Sequence, residues 1–165
     1  MDSITMDRKV VNLLPPKDIS AAAFSTAYVN MENWGHVDFI VVTGANGAGT
    51  KAVTLKEALN KSGSSATTLT AVGHYYSNVA AAASASIDND TYVKTTLTSG
   101  AFNIAASTDN QSYIIPVDND QLNGALAKTH VGVGIATTSA LAIVGCVAIL
   151  SQPRYGKLNS PTALD

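Results

Sequence analysis

The clearest pattern of apolar and polar positions in this chain lies between residues 130 and 150. Three branched residues, Val131, Val133 and Ile135, alternate with glycines. A period of two places the branched side chains on one face of a strand and the small residues on the other. The run 140–150 is uncharged and rich in β-branched residues, which is typical of a strand covered on both faces. We therefore predict two strands that form the central hairpin of an all-β domain.

The same region allows one alternative. The twenty residues from Val131 to Leu150 carry no charge, and about 20 apolar residues are enough to cross a bilayer as a helix. The polar triplet 137–139 and three glycines dilute the hydrophobicity, and no basic cluster sets an orientation. The glycines also follow the spacing of a strand. These features favour two strands, and we expect no membrane partner.

Other stretches with alternating, β-branched or aromatic residues predict further strands, separated by turn signals. They are 36–43, 52–59, 67–79, 92–97, 102–106 and 112–118. We expect 52–59 and 67–79 to form a long hairpin, and Pro116 to mark a sheet edge or a bulge. Roughly eight to ten such strands predict a single-domain antiparallel β-sandwich, jelly-roll-like, with extended N- and C-terminal arms.

The domain boundaries follow from prolines and composition. A chain of 165 residues is one domain by size. The apolar stretch that ends at Leu13 and Leu14 runs into Pro15 and Pro16, which exclude a helix and favour extended geometry. We predict an extended N-terminal arm over 1–20, a β-sandwich domain over 21–155 and a C-terminal tail over 156–165.

The composition narrows the possible partners. Only 13% of residues are charged, against about a quarter in average proteins, and the formal net charge is −2. Such a chain has no basic field for nucleic acid, so we expect no direct nucleic-acid partner. A surface with few charges favours close packing against neighbouring subunits. The amino terminus has no apolar segment typical of a secretory signal, and Cys146, inside the apolar run, is expected to pack as a small hydrophobe.

No constellation of residues predicts a reaction. The three histidines, His36, His74 and His130, lack a short metal-ligand spacing. The Asp-Asn-Asp triplets at 88–90 and 118–120 do not continue into a calcium loop, so turns explain them better. There are only two glutamates, Glu32 and Glu57, and no Gly-x-Ser-x-Gly motif. We therefore predict that the chain is not an enzyme and has no metal or cofactor.

Two other motifs have both a functional and a structural interpretation. The segment GANGAGTK, residues 44–51, looks like a phosphate-binding loop, but Thr50 precedes Lys51 whereas the motif requires the reverse order. We interpret it as a glycine-rich hairpin loop. Tyr75, Tyr76 and Tyr113 could offer aromatic surfaces for recognition. Packing within half-buried strands is the interpretation we favour for these tyrosines.

Three segments carry a resemblance to a known family. They are KVVNLLPPKDI near the start, VTLKEALNKSGSSATTLT followed by HYYSN in the middle, and VAILSQPRYGKLNSPTAL at the end. In these segments the chain resembles small virion structural proteins of tailed bacteriophages, which act as minor capsid, cement or decoration proteins. The resemblance implies a β-rich fold, often trimeric on the capsid lattice.

The resemblance also implies partners and a location. The expected function is to bind the capsid surface as a cement or decoration protein that bridges and stabilises capsomers, with the major capsid protein and other copies of itself as partners. The protein would be made in the host cytoplasm and reside in the virion. The residues carried over as partner-binding are Leu13, Leu14, Pro15, Pro16, Arg154, Tyr155 and Pro161. A head-to-tail adaptor or tail protein, and a carbohydrate-binding β-sandwich module, are the alternatives.

Overall fold

A computed structural model describes residues 8–78, 91–106, 109–137, 140–154 and 163–164. In this part of the chain twelve strands form two antiparallel sheets, which confirms the predicted β-sandwich. Sheet I has the order β1-β12-β4-β10-β7-β8. Its strands are β1 (Arg8–Asp18), β4 (Trp34–Asn46), β7 (His74–Asn78), β8 (Tyr92–Thr96), β10 (Ser112–Asp118) and β12 (Ala142–Pro153).

Sheet II is built around two central strands, β5 (Lys51–Ala58) and β11 (His130–Ile135), and all of β11 pairs with residues 53–58 of β5. The free side of β11 pairs with two short strands, and so does the free side of β5. These are β2 (Phe24–Ser25) and β3 (Val29–Asn30) beside β11, and β6 (Thr67–Thr68) and β9 (Ala101–Ile104) beside β5. Two three-residue 3-10 helices, Asn119–Gln121 and Gly124–Leu126, join β10 to β11.

The core follows the alternation in the sequence. Every second residue of each long strand points between the sheets, as in Val37, Phe39 and Val41 of β4 and Val131, Val133 and Ile135 of β11, all at most 1% exposed. Burying such a side chain stabilises the fold by about 1.5–3 kcal/mol. The pattern therefore decides which face of each strand meets the other sheet.

The predicted central hairpin is wrong. β11 belongs to sheet II and β12 to sheet I, so the two strands face each other across the core instead of pairing. Residues between Ile135 and Ala142 carry the chain from one sheet to the other. A period of two marks the buried face of a strand, but it does not say which sheet the strand joins. The two strands also exclude a membrane helix over 131–150, and no described helix is long and apolar enough to cross a membrane.

The other two predicted hairpins need correction for the same reason. The segment 67–79 contributes only β6 to the pairing with β5, and its second half, β7, lies in sheet I. The glycine-rich loop after Asn46 likewise connects β4 of sheet I to β5 of sheet II. In contrast, Pro116 fits its prediction, because the pairing of β10 with β7 covers only Tyr113 and Ile114 and leaves Pro116 with a sheet neighbour on one side.

The predicted terminal arms also differ from the structure. Within 1–20, residues 8–18 form β1, an outer strand of the domain's own sheet that pairs with β12 from Arg8 to Asp18. Within 156–165, Ala163 is buried in the core, and its carbonyl accepts a hydrogen bond from the Asn30 N–H. Leu13, Leu14 and Ala163 are therefore buried by this chain's own core. The strand order does not confirm the jelly-roll part of the prediction.

Candidate binding surfaces

The partner-binding residues expected from the sequence do not form one surface. Leu13 and Leu14 are buried in the core, whereas Pro15 and Pro16 are exposed where β1 bulges. Leu14 pairs with Cys146 of β12, and Arg154 follows the far end of that strand, roughly 25 Å away at about 3.3 Å per residue. Tyr155 and Pro161 lie outside the described residues. The described residues of the set are thus split between core and surface and between two separate places along β12.

The outer surface of sheet I carries a set of apolar side chains that the sequence analysis did not single out. Ile40 of β4 lies opposite Ile114 of β10 on one side and Val147 of β12 on the other. The set continues across both neighbouring strands, because Ile114 lies opposite Tyr76 and Ile149 opposite Val10. We call this set the apolar face: Val10, Ile40, Val42, Tyr76, Ile114, Val147 and Ile149.

The apolar face is accessible and uncharged. Val10 is 54% exposed and Val42 47%, and the other members are partly exposed. With strands about 4.8 Å apart and same-face residues about 6.6 Å apart, its five strands and three levels along each strand span roughly 19 Å by 13 Å, or about 250 Å². An exposed apolar surface with a polar border can mark a contact with another protein. This surface is therefore the strongest candidate in sheet I for contact with another protein.

One border of the apolar face contains a histidine held between two carboxylates. The Nδ1 of His36 lies 2.6 Å from Oδ1 of Asp118, and its Nε2 lies 3.2 Å from Oδ1 of Asp38. Burial lowers the pKa of His36, but the hydrogen bonds to Asp118 and Asp38 raise it by more, so the pKa is raised overall. Both ring nitrogens are engaged as donors in the charged form. The group therefore acts as an ion-pair network and presents no free nitrogen to a metal.

Lys51 does not serve a phosphate-binding loop. Its side chain is fully buried, and its ammonium donates a hydrogen bond of 3.0 Å to the carbonyl of Gly47 in the same loop. Burial lowers the pKa of Lys51. The buried lysine thus holds the loop between β4 and β5 in place, and its ammonium does not face solvent.

Tyr75, Tyr113 and Cys146 confirm the structural interpretations, whereas Tyr76 is partly exposed on the outer side of sheet I. Tyr75 stacks on Phe102 with ring centroids 4.3 Å apart, and Phe102 contacts Tyr113, so these two tyrosines belong to the core between the sheets. Tyr76 points to the opposite side of β7 and joins the apolar face. Cys146 is 1% exposed, and burial raises its pKa to about 12. A thiol in this environment packs as a hydrophobe.

Glu57, one of the two glutamates, is engaged inside the fold. Its side chain is buried at the end of β5. One carboxylate oxygen accepts a hydrogen bond from the Thr67 hydroxyl at 3.2 Å, and the other accepts one from the Asn123 N–H at 2.8 Å. The carboxylate therefore links β5 to its neighbour β6 and to the loop between the two 3-10 helices. Among the described residues, no group of three or more His, Cys, Asp or Glu side chains could hold a metal ion.

Sheet II has a cleft on its outer side, where Gly134 of β11 leaves space. The cleft has a volume of about 190 Å³. A β-carbon at Gly134 would lie 3.1 Å from Cε and 3.3 Å from Nζ of Lys56, so the lysine side chain lies across this glycine. Ser25 of β2 lies on the other side, with Oγ 3.6 Å from the same point. The lining is completed by Ala23, Phe24, Thr54, Ile135 and Ala136.

The sequence analysis found only part of this cleft. The alternation along β11 identified its glycines as unusual, but nothing in the sequence placed Lys56 or Ser25 beside them. Those residues come from strands far apart in the chain and meet only through the pairing of β5, β11 and β2. Comparison with known proteins adds nothing to the assignment, because no protein-family model, no curated protein and no solved structure matches this chain.

Proposed function

We propose that this chain is a structural virion protein of a tailed phage that binds the capsid surface as a cement or decoration protein and bridges capsomers. The observation that carries the proposal is the apolar face of sheet I. Six of its seven members are aliphatic, on a chain with few charges anywhere. A free monomer gains nothing from such a surface, whereas a subunit of an assembly buries it. The resemblance of the three sequence segments points to the same class of protein.

The occupant of the apolar face is a capsid subunit. Its area, about 250 Å², is roughly a third of the 800 Å² per partner that stable pairwise interfaces bury. A second copy in dilute solution would therefore bind weakly through this face alone. A capsid lattice differs, because a chain that bridges capsomers makes several contacts at once, and linked weak contacts multiply their strength.

Self-association is part of the same proposal. A homo-oligomer, with a trimer expected from the three-fold sites of capsids, would use surfaces other than the apolar face. Sedimentation velocity at tens of micromolar tests this. A sedimenting species of three chains would support the trimer. A monomer of 17.0 kDa that also does not bind empty phage heads would count against the whole proposal.

The capsid-binding experiment uses one substitution in the apolar face and one matched substitution outside it. Val42→Lys places a charge in the face at a residue already 47% exposed, so the fold should tolerate it. Leu126→Lys makes a similar change at a residue that is 57% exposed in a 3-10 helix. Each protein is mixed with empty heads of the phage that encodes it and pelleted.

We expect the unmodified chain and Leu126→Lys to pellet with the heads, and Val42→Lys to remain in the supernatant. Equal pelleting of all three would remove the apolar face from the proposal. If none of them pellets while Val42→Lys alone changes the sedimentation coefficient, the occupant is a second copy of the chain.

A further inference from the structure

The cleft on sheet II contains an ammonium group without a partner. Lys56 is partly buried, and no ion pair or hydrogen bond engages its Nζ within the described part of the chain. The cleft lining contains no acidic residue. A lysine that lies over a glycine floor has exchanged part of its hydration for contact with the protein. A concave site of this kind favours an anion over a neutral ligand or a cation.

The neighbouring groups limit the kind of anion. Ser25 and Thr54 offer hydroxyl groups beside the ammonium. At Gly134, β11 is paired on both sides, with Ser25 of β2 and Thr54 of β5, so the backbone N–H groups there are used by the sheet. The cleft thus has one full positive charge and neutral hydroxyls, without the nest of free amides that binds phosphates. Such a site matches a single negative charge.

The apolar part of the lining indicates the size and character of the ligand. Phe24 and Ile135 line the cleft. The volume of about 190 Å³ is below the roughly 300–1,000 Å³ of clefts for larger ligands. A group of a few heavy atoms, with a short aliphatic stem and a charged end, fits these limits.

We infer that this cleft binds a carboxylate, held by the Lys56 ammonium with the Ser25 and Thr54 hydroxyls as further donors. The carboxylate belongs to a small organic acid or to an acidic side chain of a neighbouring protein. The inference rests on sheet II alone and does not depend on the proposed capsid role of sheet I.

The test is a titration of the full-length, ¹⁵N-labelled chain, followed by the amide resonances of Ser25, Gly134 and Ala136. Three probes are used at constant ionic strength: propionate, N-acetylglutamate methylamide and inorganic phosphate. Propionate represents a free acid, and the glutamate derivative represents an acidic side chain in a protein. We expect both carboxylates to shift these resonances to saturation, and phosphate to bind more weakly.

Three variants establish which group binds. Lys56→Met removes the charge and keeps the aliphatic stem, and should weaken carboxylate binding by about tenfold or more. Lys61→Met makes the same charge change at an exposed lysine in the loop after β5 and should leave binding within about twofold. Gly134→Ala keeps every charge but fills the floor of the cleft, and should also weaken binding.

The outcomes are distinct. Tighter binding of the glutamate derivative than of propionate assigns the cleft to a protein side chain, and equal binding assigns it to carboxylates in general. If Lys56→Met and Lys61→Met weakened carboxylate binding equally, the binding would depend on the net charge of the protein and not on this cleft. That result would overturn the inference. Preference for phosphate, or saturation that is unchanged in Lys56→Met and Gly134→Ala, would overturn it as well. A melting curve of each variant confirms that the fold is intact.

Discussion

The ring of Tyr28 occupies the space that any side chain at Gly132 would need. A β-carbon at Gly132 would lie 3.1 Å from both Cγ and Cδ1 of Tyr28. The other edge of the ring packs closely on Gly63, where a β-carbon would lie 2.6 Å from Cε2, so the ring has little room to move. Tyr28 is 5% exposed, and it sits between two positions that only glycine can occupy without a shift. The Tyr28 ring thus fills the space that the missing side chain at Gly132 leaves on the outer face of sheet II.

This contact predicts different costs for the two glycines of β11. Gly132→Ala should lower the free energy of unfolding by about 1–3 kcal/mol, because the pinned Tyr28 ring must move. Gly134→Ala should be close to neutral, because its neighbour is the flexible end of Lys56 and because replacing a strand glycine recovers about 0.5–1 kcal/mol. Urea denaturation of both variants measures the difference. Equal midpoints would show that the Tyr28 ring can move away.

A valine at Gly134 should cost more stability than an alanine there. At Gly134 it meets Ser25 as well as Lys56, so we expect Gly134→Val to cost about 1–3 kcal/mol. The change should also close the carboxylate cleft. Thermal melting tests the cost, and an unchanged melting temperature would mean that this side of β11 is open to solvent.

The strand β1 predicts a sharp contrast between two of its residues. Leu14 is 2% exposed in the core, so Leu14→Ala should cost about 2–5 kcal/mol through lost burial and the cavity left behind. Val10 lies on the opposite side of the strand and is 54% exposed, so Val10→Ala should lower the free energy of unfolding by less than about 1 kcal/mol. Denaturation midpoints decide between this strand and an independent arm, because an arm would leave both variants as stable as the parent.

Deletions extend this prediction. Among the described residues, removing 1–9 takes away the first two pairs of β1 with β12, those of Arg8 and Lys9, and we expect the domain to remain folded. Removing 1–18 takes away the whole strand with its buried leucines and should unfold the domain. Circular dichroism of the two truncated chains measures this, and a folded chain without residues 1–18 would contradict the assignment of β1 to the core.

The raised pKa of His36 predicts a dependence of stability on pH. Since the folded pKa lies above the unfolded value of about 6.5, the charged ring stabilises the fold fully below that pH. The contribution is lost as the pH rises through the raised folded pKa. The melting temperature of the parent relative to His36→Gln should therefore be highest near pH 6 and should fall toward neutral and alkaline pH.

The control for this measurement is His74→Gln. His74 stands edge-on to the Tyr76 ring, 5.3 Å between centroids, and no carboxylate pairs with it in the part of the chain that the structure describes. It measures the effect of a histidine-to-glutamine change away from an acidic pair. A parent that loses no stability relative to His36→Gln between pH 6 and pH 9 would show that the pairs with Asp38 and Asp118 contribute nothing.

The burial of Cys146 predicts a thiol that reacts only after unfolding. With its pKa raised to about 12 and 1% exposure, it has almost no thiolate at neutral pH and no access for a reagent. A thiol reagent such as Ellman's should leave the native chain unmodified and label it stoichiometrically in denaturing urea. Rapid labelling without denaturant would mean that the core around β12 opens readily.

The sequence alone determined the local features of this protein. Alternation along β4, β10 and β11 predicts both the strands and their buried faces, because a strand turns successive side chains to opposite sides whatever its neighbours are. The apolar run of β12 predicted a strand covered on both faces, but the fold buries only one face fully and leaves Val147 and Ile149 partly exposed on the other. Among the features of the cleft, only the glycines of β11 left a signal in the sequence, since a glycine opposite a row of valines is visible without knowing what fills the space.

Only the tertiary structure decided how those strands combine. The alternation along β12 is the same whether the strand pairs with β11 or joins the other sheet. Its pairing partner therefore depends on which arrangement buries the most apolar surface over the whole chain. The same holds for β1, whose leucines are covered by this domain's own core. Lys56 reaches Gly134, and His36 reaches Asp118, across 82 positions of sequence in the latter case, only because distant strands pair in one register. Such contacts leave no periodic trace in the sequence, because the partner of each residue is selected by the fold and not by its neighbours along the chain.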